Sequence, residues 1–322
     1  MNSPTAFHHS DFCYAAKTQG YALIPPSEKD LPSVVAEPFF HVSAQPLALE
    51  GPAFDRAGNL YFVDVHGGQV MCLDTGGKLK TIYREDGLRP AGIAIHKDGR
   101  LFVACLGDFK TGCILAMDPN GENRNHILSS SQGYVPDDLV FDAAGGFYFT
   151  DFKGNSTDPA GGVYYVSPDF SAITPVLRNL CVANGVALSE DEKTLWTTEF
   201  SAGRLHRIAL SAPAEIALIA GANVAHHFCG PAPDSMRTDA DGNVYVAMFN
   251  QGRILAFSSY GLPIGQILLP GRDENKFLKS TSLAFFPGER NLVIVAKDDN
   301  AEGAMIFKSK GFAKGTRLFS HQ

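Results

Sequence analysis

Four oxygen-bearing side chains, Glu50, Asp137, Asn184 and Asp234, occupy the same place in a repeated pattern. Donors of that kind, brought together, can hold a hard cation. The stretch around Asp234 shows the pattern most fully. Pro233-Asp234-Ser235-Met236-Arg237-Thr238-Asp239 reads as a strand beginning at a carboxylate, Ala240-Asp241-Gly242-Asn243 as a turn, and Val244-Tyr245-Val246 as a β-rich return. Glu50-Gly51-Pro52-Ala53-Phe54-Asp55, Asp137-Asp138-Leu139-Val140-Phe141-Asp142 and Asn184-Gly185-Val186-Ala187-Leu188-Ser189 can be laid over it. So can Ala91-Gly92-Ile93-Ala94-Ile95-His96 and Thr281-Ser282-Leu283-Ala284-Phe285-Phe286, which makes six copies.

Each copy continues into further strand signals. After Glu50 come Leu60-Tyr61-Phe62-Val63-Asp64, then Gln69-Val70-Met71-Cys72-Leu73-Asp74 beyond Gly67-Gly68, then Lys78-Leu79-Lys80-Thr81-Ile82-Tyr83 beyond Gly76-Gly77. Four strands per repeat, recurring every ~40–50 residues, predict an all-β fold, a six-bladed β-propeller of four-stranded antiparallel blades. Residues 46–322 are expected to form this single domain, with 1–45 as an extended lead-in packed on it. Residues 311–319 are expected to pair with 36–42, so that N- and C-terminal strands close the ring and leave no open sheet edge.

A propeller makes the first residue of each repeat informative, because the innermost strands line a central channel. The ring would read Glu50, Ala91, Asp137, Asn184, Asp234, Thr281. Three carboxylates facing one another across a narrow space raise one another's pKa or demand a cation. With no His or Cys in the set, a hard cation is selected, and the spread of side chains suits Ca2+ better than strictly octahedral Mg2+. For any one of these acids a solvent-facing rim position is the alternative; four oxygen side chains in register oppose it. Asp64, Asp151 and Glu199, at the ends of second strands, are assigned to capping turns through local hydrogen bonds, and Asp55, Asp142 and Asp239 to opening the hairpin turns.

Composition narrows the classes. Of 322 residues 45% are hydrophobic and 19% charged, enough for a buried core and unlike a disordered chain. A formal charge of -7 argues against nucleic acid as a partner. No run of ~18 apolar residues predicts a membrane span. Residues 1–20, with His8, His9 and Asp11, lack the basic and apolar regions of a secretory signal, so a cytoplasmic location is expected. The six cysteines show no CxxC spacing and are expected mostly as small core residues.

Several strings resemble a known family. Leu49-Glu50-Gly51, Pro136-Asp137-Asp138-Leu139-Val140-Phe141-Asp142, Val182-Ala183-Asn184-Gly185-Val186-Ala187-Leu188-Ser189 and Pro233-Asp234-Ser235 look like metal-site motifs of the gluconolactonase and senescence-marker-protein family of six-bladed propellers. The likeness is greatest to its bacterial drug-responsive lactonase branch, through Gly107-Asp108-Phe109-Lys110, Gly145-Gly146-Phe147-Tyr148-Phe149-Thr150-Asp151-Phe152 and Pro263-Ile264-Gly265-Gln266-Ile267-Leu268 among others. The resemblance implies a calcium-dependent hydrolase that opens cyclic esters, with a small-molecule lactone as its partner. It implies that Glu50, Asp137, Asn184, Asp234 and Ser235 hold the ion and that Asp234 is also the acid/base residue. An outlying second calcium of that branch is not expected here, since Ser129 replaces an acid and the turn at Lys110-Thr111-Gly112 looks one residue short.

The expected chemistry has Ca2+ polarising the lactone carbonyl while Asp234 positions or deprotonates water, or hands a proton to the leaving alkoxide. His226 and His227, read as lying on a loop over the channel, offer a competing base. No G-x-S-x-G elbow points to a nucleophilic triad. A metal-dependent phosphotriesterase-type hydrolase and a non-enzymatic calcium-braced scaffold stand as alternative functions. The sequence does not address oligomeric state.

Overall fold

The computed structural model describes residues 24–299 and 302–322. Residues 1–20 and Cys13, on which the absence of a secretory signal and one cysteine reading rest, lie outside the described residues. Six antiparallel sheets follow one another along the chain. Blade 1 comprises Leu49–Phe54, Leu60–Asp64, Gln69–Leu73 and Leu79–Arg84. The inner strands of blades 2 to 6 are Pro90–Ile95, Pro136–Phe141, Ala183–Leu188, Pro233–Thr238 and Lys279–Phe285. Each inner strand touches the next, and the sixth touches the first, so the six-bladed ring is closed.

The blades read as near-continuous apolar runs because both of their faces are covered by neighbours. In the second strand of blade 2, Leu101, Val103 and Cys105 pack toward blade 1, while Phe102 and Ala104 pack toward blade 3. All six inner strands share one irregularity. The pairing register shifts at or just after the position of Glu50 and its counterparts, as between Glu50 and Ala53, Pro136 and Leu139, Ala183 and Val186, and Pro233 and Met236. Such a bulge re-aims the local side chains. At Gly185 a Cβ would lie 2.8 Å from the Asp234 carbonyl oxygen, so only glycine lets these two inner strands approach this closely.

Closure differs in detail from the sequence expectation. The strand that completes blade 6 is Glu37–Ser43, and its partner is Gly303–Lys310, not residues 311–319. The last long β run already supplies the pairing edge, which frees the tail to go elsewhere. Ser33–Val35 adds a parallel fifth strand to blade 5. Beyond Lys310 the tail crosses the end of the channel opposite Glu50. Ala240 N–H donates to the Lys314 carbonyl (2.7 Å), Thr316 N–H to that of Thr238 (3.3 Å), and an Arg56 Nη2–H to that of Gln322 (3.1 Å). Phe319, buried, packs on His96 and Phe141 with ring centroids 4.9 and 5.5 Å apart. Among the described residues no helix is long and apolar enough to cross a membrane.

Candidate metal and active site

At the end where the inner strands begin, the structure brings together the residues the repeat singles out. Asp137, Asn184, Asp234 and Ser235 are all buried, and Glu50 is partly exposed. Their electrostatics show that they share one space. Burial drives the Glu50 carboxyl up to about 8; Asp138 adds to the rise, whereas the Gly51 N–H and the Arg237 cation oppose it. Asp137 is pushed well above the ordinary carboxylate range by burial, then by Glu50 and Asp138. Asp234 is raised likewise by burial, Glu50 and Asp137, against hydrogen bonds from Asn184 and the Ser235 N–H. A set of acids in this state needs protons or a cation to be neutralised.

The remaining two ring positions are not ligands in kind. Ala91 offers no side-chain donor or acceptor, and the Thr281 hydroxyl donates to the Leu49 carbonyl at 2.7 Å. Asp138 faces the channel as well, accepting a 2.9 Å hydrogen bond from Arg237 Nη1. His226 and His227 are corrected by the structure. Both belong to Ala222–His227, the outermost strand of blade 4, and not to a loop over the channel. His226 packs against Phe228 and Phe257 at that periphery.

Residues the sequence reading missed hold the ring in place. Thr150 Oγ1 donates to the Asn184 carbonyl (2.5 Å), and Thr198 Oγ1 to the Asp234 carbonyl (2.8 Å). In each case a hydroxyl of one blade fixes the ligand-bearing backbone of the next. The signal was present as threonines in otherwise apolar second strands, where an unpaired hydroxyl would be costly to bury. Asp64, Asp151 and Glu199 are structural as expected, but they do not cap local turns. Their carboxylates accept from the N–H groups of Ala48, Val135 and Cys181 at 3.1, 2.9 and 2.8 Å. Antiparallel pairing sets the end of the second strand beside the entry to the first, so the strand-end acid reaches the segment leading to the ring.

Blade 5 solves the same problem differently. Met248 stands opposite Pro233, where blades 1, 3 and 4 have a carboxylate. Gln251 instead donates through Nε2 to the Pro231 carbonyl at 2.7 Å, and its Oε1 accepts from Arg253 Nε at 2.9 Å. Arg253, 1% exposed, is paired in turn with the buried Glu28 carboxylate at 2.5 Å. The segment entering Asp234 is thereby tied to the lead-in.

The ring's chemistry fits a hard cation. The donors are all oxygen, the carboxyls repel one another, and Asn184 Oδ1 is buried with no hydrogen-bond donor. Among the described residues, however, no group of three or more His, Cys, Asp or Glu side chains is drawn close enough to hold an ion by itself. The ring is a set of donors and not a closed cage.

Comparison with known proteins agrees with this architecture. Residues 49–295 match the family model described as SMP-30/Gluconolactonase/LRE-like region. Lactonase drp35 of Staphylococcus aureus is 50% identical over 301 residues, covering 92% of this chain and 93% of that one. Among solved structures, a calcium-binding protein, regucalcin, from Agrobacterium tumefaciens superposes with a TM-score of 0.73 at 16% identity, covering 89% and 97% of the two chains. A gluconolactonase from Xanthomonas campestris gives 0.66 at 20% identity, covering 83% and 87%. These two share the fold. With a family model matched from the first inner strand into the sixth blade, and half of its residues shared with a relative across nearly its whole length, the chain belongs to the SMP-30/gluconolactonase/LRE-like family.

Proposed function

We propose that this protein is a calcium-dependent lactonase, with Glu50, Asp137, Asn184, Asp234 and Ser235 around the ion and Asp234 as the acid/base residue. The observation that carries this reading is the ring itself, in which three carboxyls raised by burial and by neighbouring acids accompany a buried amide oxygen that lacks a donor. Identity to proteins named lactonase supports cyclic esters as the substrate class. Bound calcium supplies Lewis-acid stabilisation of negative charge on a carbonyl oxygen.

The chain's own groups do the rest. Asp234, with Asn184 and the Ser235 N–H beside it favouring its charged form, is placed where it can take a proton from water or return one to the departing alkoxide. The Thr198 hydroxyl prevents its backbone from drifting, and the tie from Pro231 through Gln251 and Arg253 to Glu28 steadies the approach. Burial of Asp137 and Asp234 keeps bulk water from their carboxyls and strengthens the electrostatic interaction between them. Four buried cysteines without disulfides suit a reducing compartment, which favours the cytoplasm.

The test is hydrolysis of a lactone panel that includes dihydrocoumarin, before and after chelation with EGTA and after calcium is restored. Turnover that disappears on chelation and returns with calcium supports the reading. Calcium binding without turnover of any lactone would overturn it and turn attention to phosphotriesters or a scaffold role.

A further inference from the structure

The channel holds a chamber away from the ring. At the end opposite the carboxylates lies a cavity of about 430 Å3, within the range of small-molecule sites. Its wall comes from the far ends of all six inner strands, including Phe54, Ala94, Val140, Leu188 and Phe286, and residues 314–321 of the tail close it from below. The lining is predominantly apolar, and its charged members are unequal in sign. Arg237, Lys314 and Arg317 line it, against Glu190 as the one carboxylate among the described residues.

Arg237 distinguishes this chamber from a simple packing gap. Its two protein hydrogen bonds, to Asp138 Oδ2 (2.9 Å) and the Met236 carbonyl (2.6 Å), both leave from Nη1. Among the described residues, Nε and Nη2 have no protein acceptor. Those two nitrogens form the edge of the guanidinium that takes a carboxylate in a two-point hydrogen bond. The exposed Lys314 at the tail side adds positive potential where an anion would approach.

We propose that this lower chamber binds a hydrophobic monocarboxylate, such as a medium-chain alkanoic acid. The carboxylate sits on Nε and Nη2 of Arg237, and the apolar chain lies among Phe54, Ala94, Val140 and Phe286, above the tail. No bond is made or broken. The site lies at the opposite end of the channel from the proposed lactone chemistry, touches it through the Arg237–Asp138 pair, and does not rest on that reading.

The test uses the full chain in calcium-containing buffer, titrated calorimetrically with octanoate and with octan-1-ol. Octanoate is expected to bind saturably at one site, and the alcohol at least about tenfold more weakly, since it cannot form the two-point ion pair. Ala94→Phe, which projects a ring into the chamber, is expected to weaken octanoate at least about tenfold while unfolding as cooperatively as the parent. Should that variant fail to fold, Val140→Phe serves the same purpose. Absence of saturable octanoate binding, equal binding of the alcohol, or unchanged octanoate affinity in the folded, filled variant would each overturn the proposal. The last result would place the acid at the carboxylate ring instead.

Discussion

The inner strand of blade 5 has one aspartate near its start and another just past its end, and the two could hardly be in more different states. Asp239 is fully buried, yet its carboxylate accepts from the Asp241 and Asn243 N–H groups, Asn243 Nδ2 and the Tyr245 hydroxyl at 2.7 to 3.1 Å. Asp55 and Asp142 do the same in their own turns, each with a tyrosine hydroxyl closing the set. Asp234, equally inside, has only Asn184 and the Ser235 N–H to favour its charged form and faces Glu50 and Asp137, which with burial push its carboxyl well above the ordinary range. A satisfied acid locks a turn, whereas an acid set against other acids stores a demand for a cation. The same residue type at the two ends of one strand thus separates stability from chemistry.

The largest effect should come from the acid set against other acids. Asp234→Ala is expected to lower kcat/KM for a lactone by more than about 10^3-fold, as is usual when a transition-state contact is lost. Steady-state kinetics on a folded variant check this, and near-parental turnover would break the contrast. Asp239→Ala should do the converse. With four donors left unpaired in the lower turn, urea unfolding is expected to show a loss of about 3 kcal/mol, with kcat/KM for the surviving folded protein essentially unchanged.

Calcium should stabilise only through the upper end. At a concentration a hundredfold above its Kd it is expected to add about 2.7 kcal/mol, read as a rise in Tm that EGTA reverses. Asn184→Leu, which removes the donor-free amide oxygen, should shrink that rise at a fixed calcium concentration; an undiminished shift would exclude Asn184 from the site.

The smallest effect concerns the strand-end acids. Burial alone would raise the Glu199 carboxyl, but the Cys181 N–H and His206 hold it below its ordinary value. A depressed acid contributes stability that is present above its unfolded pKa, about 4.3, and disappears as pH falls through its folded pKa. Glu199→Gln should therefore cost about 1–2 kcal/mol near neutrality. Thermal unfolding should show the gap to the parent narrowing as pH falls below about 4; a constant gap would mean that the charge of Glu199 is not what holds Cys181.

Much of this was legible before any coordinates. Alternating apolar residues and turns at Asp55, Asp142 and Asp239 give the blades, because hairpins are local and their register follows the pleat. The ring was legible because six repeats aligned. What escaped the sequence is non-local. Residues 311–322 bond through backbone to turns such as Thr238 and Ala240, and so carry no strand periodicity. Ala222–His227 is an outer strand with mostly exposed side chains, which erases the alternation that would have moved His226 from a loop to a sheet. The tie from Gln251 through Arg253 to Glu28 joins residues far apart in the chain, and the threonine hooks act across blade boundaries. Each depends on how strands, blades and termini meet, which no local pattern encodes.

One measurement addresses the central claim directly: the calcium anomalous difference map of crystals grown with calcium. The account predicts a single strong peak on the channel axis, within about 2.3–2.6 Å of oxygens from Glu50, Asp137, Asn184 and Asp234. An empty ring beside a peak elsewhere on the molecule, in crystals of protein that hydrolyses lactones, would contradict it.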